Sequence, residues 1–320
     1  MPLVPLHEMY KEANKKYYAI GQFNVNNLEF VQAVLQAAEE MKSPVIIAAS
    51  TSALKYAGLE NLVAIVKSEV ERKSIPVALH LDHGATFDDA KRCIDAGFTS
   101  VMIDGSHHPF EENIRITKEV VDYARKYNVT VEAELGKLAG IEDNVKVDAA
   151  NATYTDPDEA VEFVKKSGCD ALAVAVGTSH GAYKFKSEAK LDFDRIEKIK
   201  SMVNIPLVLH GASGVPKDLV DKLTKYGGKI PGAKGVPDEA YREAVKRGIN
   251  KINIDTDLRL TFTATVREVL TTKIAEFDPR KILGPARDAI TEIVKQKMQV
   301  LGSANQASAK NTADEKMAAK

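Results

Sequence analysis

Six of the seven histidines in the 320-residue chain lie at or just after the ends of short apolar runs, and the helix-like stretches hold none. Three of them, His83, His180 and His210, each precede a glycine on a different run. Neutral imidazoles delivered by three separate segments, with one coordination position left open, make a catalytic zinc shell. Each ring then needs an acceptor for its other nitrogen. His80 stands three residues before His83 on the same run, so a regular strand sends the two to opposite faces and His80 reads as structural. His107 and His108 precede Pro109 at a helix start and suit a cap or loop as well as a ligand.

Carboxylates gather at the same segment ends. Asp82 adjoins His83 and by strand alternation points the other way, toward a substrate if His83 points toward a metal. Taken alone, it is equally a helix cap or an ion-pair partner. Asp104 and Glu134 end neighbouring runs and could share a cation or serve as buried salt-bridge partners. Gly181, the turn Gly211-Ala212-Ser213-Gly214 and Thr256 offer backbone N–H groups and hydroxyls to an anion, with Lys184 adding a point charge. The stretch Lys137–Asn144 carries glycine and carboxylates, which suits either a lid that delivers a base or a solvated loop.

These groups can meet only if the runs that carry them converge. Eight runs read as strands: Tyr18–Asn24, Pro44–Ala49, Pro76–Leu81, Ser100–Asp104, Thr130–Glu134, Ala171–Val176, Pro206–His210 and Lys251–Asp255. Most are continuously apolar, as strands buried on both faces of a parallel sheet are. Helical stretches lie between them, among them Leu28–Met41, Phe87–Ala96, Phe110–Tyr127, Pro157–Ser167 and Phe193–Met202, and two more begin near Val215 and Val236. After Thr261 the chain reads as two further helices, Thr261–Glu276 and Gly284–Leu301. This order predicts an α/β fold, a closed (β/α)8 TIM barrel with extra C-terminal helices, whose active site forms where the strands end. An open doubly wound sheet is the runner-up, disfavoured because no Gly-x-Gly-x-x-Gly follows the first strand. Residues 1–302 read as one catalytic domain and the polar stretch 303–320 as a disordered tail.

Composition narrows the function classes. Apolar residues make up 44% and charged residues 28% of the chain, enough for a large core. Lys plus Arg number 44 and Asp plus Glu 45, a net charge of −1, so no global field grips nucleic acid and any anionic ligand is held locally. Two cysteines, Cys93 and Cys169, make no disulfide framework and point to a reducing, cytoplasmic setting. No apolar run reaches the roughly 18 residues of a membrane span, and the N-terminus does not read as a signal peptide.

Four segments together, Asp82-His83-Gly84, Gly177–Lys184, His210–Gly214 and Asn253-Ile254-Asp255-Thr256-Asp257-Leu258-Arg259, resemble the class II, metal-dependent fructose-bisphosphate aldolases, from about Pro2 to Leu301. The resemblance implies reversible aldol cleavage of fructose 1,6-bisphosphate to dihydroxyacetone phosphate and glyceraldehyde 3-phosphate, with zinc stabilising the enediolate. It makes His83, His180 and His210 the zinc ligands, Asp82 the general acid/base, and Glu142 the loop residue that exchanges the proton on the ketose carbon. Asp104 and Glu134 would bind a second divalent ion or an alternative position of the first. Gly181, Lys184, Gly211 and Ser213 would hold the phosphate of the three-carbon ketone, near a monovalent cation, Na+ or K+. Asn253 and Asp255 would meet the substrate, Thr256 the first phosphate, and Ser50, Arg259 and Arg280 the distal phosphate. Arg280 would come from a second subunit of a homodimer or homotetramer.

Three other readings compete. A tagatose-bisphosphate aldolase differs by one inverted hydroxyl. A zinc hydrolase on the same barrel usually carries His-x-His on its first strand, where this chain has Gly21-Gln22-Phe23-Asn24. A Schiff-base aldolase needs a pocket-facing strand lysine; Ala171–Val176 has none, and Lys251 is expected at the very start of its strand.

Overall fold

The structure, a computed structural model, describes residues 3–142, 145–147, 152–180, 191–230 and 233–307, with only the backbone of residues 139–142, 145–147 and 180. Eleven strands run along the described chain: β1 (Ile20–Asn24), β2 (Val45–Ser50), β3 (Val77–Gly84), β4 (Ser100–Ile103), β5 (Thr130–Leu135), β6 (Ala139–Glu142), β7 (Val145–Val147), β8 (Ala171–Val174), β9 (Ser179–His180), β10 (Leu207–Leu209) and β11 (Ile249–Ile254). Eight of them close into a parallel barrel in the order β1-β11-β10-β8-β5-β4-β3-β2. These are the eight runs picked out above, and the closure follows from their both-face burial: every residue of β1, β2, β4 and β5 is buried.

The twelve described α-helices are α1 (Leu6–Lys16), α2 (Leu28–Met41), α3 (Thr51–Ala57), α4 (Leu59–Val70), α5 (Phe87–Ala96), α6 (Phe110–Ala124), α7 (Pro157–Ser167), α8 (Phe193–Met202), α9 (Lys217–Lys225), α10 (Asp238–Lys246), α11 (Thr256–Thr272) and α12 (Pro279–Val300). Local chemistry sets their ends. Thr86 and Asp89 form a capping box at the start of α5, and Gly97 ends it with φ +101°. Asn27 caps α2 through the Phe30 N–H. Helix α12 packs across α2 and α11.

Three expectations shift. Helix α1 was not foreseen, so His7 lies in a helix after all. It seals the N-terminal end of the barrel, where Leu6, Met9 and Tyr10 cluster with the strand residues Ile20, Ile46, Ala78 and Val208. The segment after β5 is not loop throughout: β6 pairs antiparallel with β7 and parallel with β9, a small sheet on the rim. Residues 303–307, placed in the tail from sequence, pack on the barrel. Ser303 is fully buried against Ser43, and the Asn305 N–H donates to the Met41 carbonyl. The rest of the tail lies outside the described residues. Among the described residues, no helix is long and apolar enough to cross a membrane.

Candidate active site

The barrel interior changes from apolar to charged as the strands rise. Lys251 sits mid-way along β11, fully buried, with its ammonium 2.6 Å from Glu132 Oε2. Next to it, His80 places Nδ1 2.8 Å from Ser100 Oγ and Nε2 3.5 Å from the Lys251 ammonium. Burial, reinforced by Lys251, lowers the His80 pKa to about 3, so the ring is neutral. His80 is held between Ser100 and Lys251 and belongs to neither group of neighbouring ligand atoms found among the described residues. Lys251 is not where the sequence reading put it: its strand begins at Ile249, and the side chain enters the barrel. Its ammonium is engaged by Glu132 beneath the site, and that ion pair, not its position in the strand, weighs against a Schiff-base role.

The other oxygen of Glu132 reaches upward and accepts from His210 Nε2 at 2.7 Å. That fixes the tautomer and turns His210 Nδ1 toward His83 Nε2, 2.8 Å away. His83 is anchored in the same way, its Nδ1 donating to Asp104 Oδ2 at 3.0 Å. Burial and the Glu132 bond pull His210 in opposite directions, and burial prevails to keep it neutral. Burial would also lower His83, but Asp104, Asp82 and Glu134 overcome it and raise its pKa to about 10. Carboxylates thus aim two imidazole nitrogens at each other, 2.8 Å apart.

His83 reaches this place against strand alternation. The pairing of β3 with β4 slips between Leu81 and Gly84, and His83 has φ +48°. The irregularity turns its ring back to the face already used by Asp82. The expectation that Asp82 and His83 point apart is therefore corrected: Asp82, His83 and His210 bring ligand atoms within 4.8 Å of one another. Asp82 accepts from Asn24 Nδ2 at 2.7 Å through one oxygen and from Asn253 Nδ2 at 3.1 Å through the other. Burial opposes ionisation of Asp82, yet His83, His210 and Lys251 hold its pKa well below the usual carboxylate range.

His83, Asp104 and Glu134 form a second such group. Burial and the Asp104 charge push the Glu134 pKa well up, and its Oε2 has no hydrogen-bond partner among the described residues. An orphaned buried carboxylate oxygen, two imidazole nitrogens facing each other at 2.8 Å and a surplus of acidic groups over Lys251, the lysine paired beneath them, all fit a bound divalent cation.

Of the residues read as anion-binding, Gly211, Ser213 and Thr256 lie on the adjoining turn and helix start. Gly211 has φ +58°, and a side chain there would come within 2.7 Å of the Ser179 backbone, so only glycine lets this turn approach β9. Ser213 Oγ accepts from the Asp255 and Thr256 N–H groups at 3.2 and 3.1 Å, at the N-terminus of α11. Asp255 pairs with Arg259 at 2.8 Å. Ser50 caps α3 and pairs in register with Asp82 across β2 and β3. Arg280 engages Asp278 at the start of α12, its side chain 89% exposed. His180 lies on β9 beside Gly140, and Glu142 on β6. The side chains of His180 and Glu142, and all of Gly181 and Lys184, fall outside the described residues.

Two functional neighbours, Asn24 and Glu132, were not singled out from sequence, and Lys251 was weighed only as a Schiff-base candidate. Asn24 and Glu132 were visible as polar residues inside otherwise apolar strands, which is the signal that finds them.

Comparison with known proteins fits this arrangement. The family model described as "Fructose-bisphosphate aldolase class-II" matches residues 4–306. A Helicobacter pylori (strain J99) protein named fructose-bisphosphate aldolase is 51% identical over 304 residues, 95% of this chain and 99% of that protein. One from Thermus caldophilus with the same name is 52% identical over 300 residues, 94% and 98% of the two chains. The crystal structure of the YdjI aldolase from Escherichia coli K12 superposes with a TM-score of 0.80 at 35% identity, covering 96% of this chain and all of that one. On the residues it matches and the barrel that carries them, the chain belongs to the class II fructose-bisphosphate aldolase family.

Proposed function

We propose that the protein catalyses the reversible aldol cleavage of fructose 1,6-bisphosphate to dihydroxyacetone phosphate and glyceraldehyde 3-phosphate, with zinc held by His83, His180 and His210. The carrying observation is the facing pair His83 Nε2 and His210 Nδ1, each ring backed by a carboxylate, with Asp82 ionised beside them. When bound, zinc supplies a Lewis acid for the carbonyl side of the breaking bond. Asp82 takes the C4 hydroxyl proton as C3–C4 breaks and returns it in condensation. The Asn24 and Asn253 amides hold the Asp82 carboxylate in place for this transfer. Glu142 exchanges the proton on the ketose carbon.

Gly181, Lys184, Gly211 and Ser213, with Thr256 at the start of α11, receive the phosphate of the three-carbon ketone, where helix dipole and N–H groups favour an anion. Ser50 and Arg259 hold the distal phosphate, and Arg280, exposed on its own subunit, serves a neighbouring copy in a homodimer or homotetramer. Asp104 and Glu134 with His83 offer a second divalent position, and a monovalent cation sits by the phosphate. Phosphates remote from the reacting carbons supply binding energy that fixes orientation. This reading takes 1–302 as one catalytic domain of a cytoplasmic enzyme.

The test is metal analysis paired with a cleavage assay on fructose and tagatose 1,6-bisphosphates. The expected result is zinc in the purified protein, loss of cleavage on chelation, recovery on adding zinc back, and faster turnover of the fructose ester. Full activity after chelation, or inactivation by borohydride with substrate, overturns the metal reading; faster tagatose turnover reassigns the substrate.

A further inference from the structure

The turn from Gly211 to Val215 is held from behind as well as from the site. Val215 has φ +45°, a left-handed conformation that a β-branched residue keeps only where its surroundings over-determine it. Its side chain is buried with Leu219 and Leu260. Its N–H donates to Asp257 Oδ1 at 2.7 Å, and the Gly214 N–H donates to Asp257 Oδ2 at 2.9 Å. Asp257, in the first turn of α11, is fully buried and needs a counter-charge.

That charge comes from the far end of the chain. Lys297, in the last turn of α12, brings its ammonium to 3.6 Å from Asp257 and 3.0 Å from Asp238, with its side chain 5% exposed. The same ammonium stands 4.8 Å from the centre of the Tyr241 ring, whose hydroxyl donates to the Ala212 carbonyl. A Cβ on Gly214 would come within 2.9 Å of Lys297 Nζ, so the ammonium lies directly behind the turn.

We propose that Lys297 is a positioning residue for phosphate binding: through Asp257 and Tyr241 it locks the strained 211–215 turn in the form that presents Gly211 and Ser213 to the substrate phosphate. Lys297 touches no reacting atom and acts only through the turn. The inference rests on the reading that this turn binds the phosphate of the three-carbon ketone.

The test uses the zinc-loaded full chain with Lys297→Met and Lys297→Arg. In Lys297→Met, the KM for fructose 1,6-bisphosphate and the Ki of inorganic phosphate are both expected to rise about tenfold, the loss of one buried interaction, with kcat and zinc content nearly unchanged. Lys297→Arg keeps the charge and should restore most of both constants. Should Lys297→Met fail to fold because Asp257 is left uncompensated, the double variant Lys297→Met with Asp257→Asn removes both charges. Its KM is expected to match that of Asp257→Asn alone, since the two side chains act through one turn. A lower melting temperature with wild-type KM and Ki, a loss confined to kcat, or additive effects in the double variant would overturn the proposal. A wild-type enzyme that inorganic phosphate does not inhibit overturns the phosphate reading, and the proposal with it; that failure shows before any variant is made.

Discussion

Within strand β3, Ala78 belongs to the apolar floor with Leu6, Tyr10 and Ile46, whereas two and four residues further on His80 and Asp82 belong to a network of imidazoles, carboxylates and amides. The same change runs from Val208 in β10 to His210 just past its end. About 7 Å of strand rise separates the two layers. The floor's side chains carry only the Tyr10 and Tyr18 hydroxyls as polar groups, and that of Tyr10 has no hydrogen-bond partner among the described residues. The rim is nearly all polar and is buried too, so each group there must be held by another. The contrast assigns stability to the floor and chemistry to the rim, with the Glu132–Lys251 pair between them serving both.

Three substitutions break or sharpen that division. The largest effect is expected at the rim. Asp82→Ala should cut turnover by roughly 10²–10⁴-fold, the usual worth of a positioned acid/base, while zinc content and melting temperature hold. Near-normal turnover would remove Asp82 from the chemistry. On the floor, Ile46→Ala leaves a cavity beneath the site and should cost about 2–5 kcal/mol of unfolding free energy with kcat preserved. A fall in kcat without a fall in denaturation midpoint would show that the two layers are not separable. Between them, Glu132→Gln leaves His210 with a weaker acceptor and Lys251 with no buried counter-charge. A competing-chelator titration should show zinc held about 10–100-fold more weakly. Unchanged zinc affinity would mean that Glu132 serves the fold alone.

Much of this could be read along the chain because it depends on local pattern. Short apolar runs, most of them continuous, marked all eight barrel strands, and the glycine after each of His83, His180 and His210 marked the ends of their segments. Caps such as Thr86 and stops such as Gly97 placed α5 to the residue. Elements with weaker local signals were missed. Helix α1 has a polar composition, and only the open end of the barrel gives its Leu6, Met9 and Tyr10 face somewhere to pack.

The sequence by itself determined which groups were available for chemistry and at which end of the barrel they would gather, because strand direction and residue type are local properties. Which of those groups face one another was decided only by the closed barrel. The slip in β3 that sends His83 to the side of Asp82 depends on pairing with β4. The pairing of Glu132 with Lys251 joins residues 119 apart. Such contacts exist only once distant strands become neighbours, and the cost of burying an unpaired charge then selects the partners.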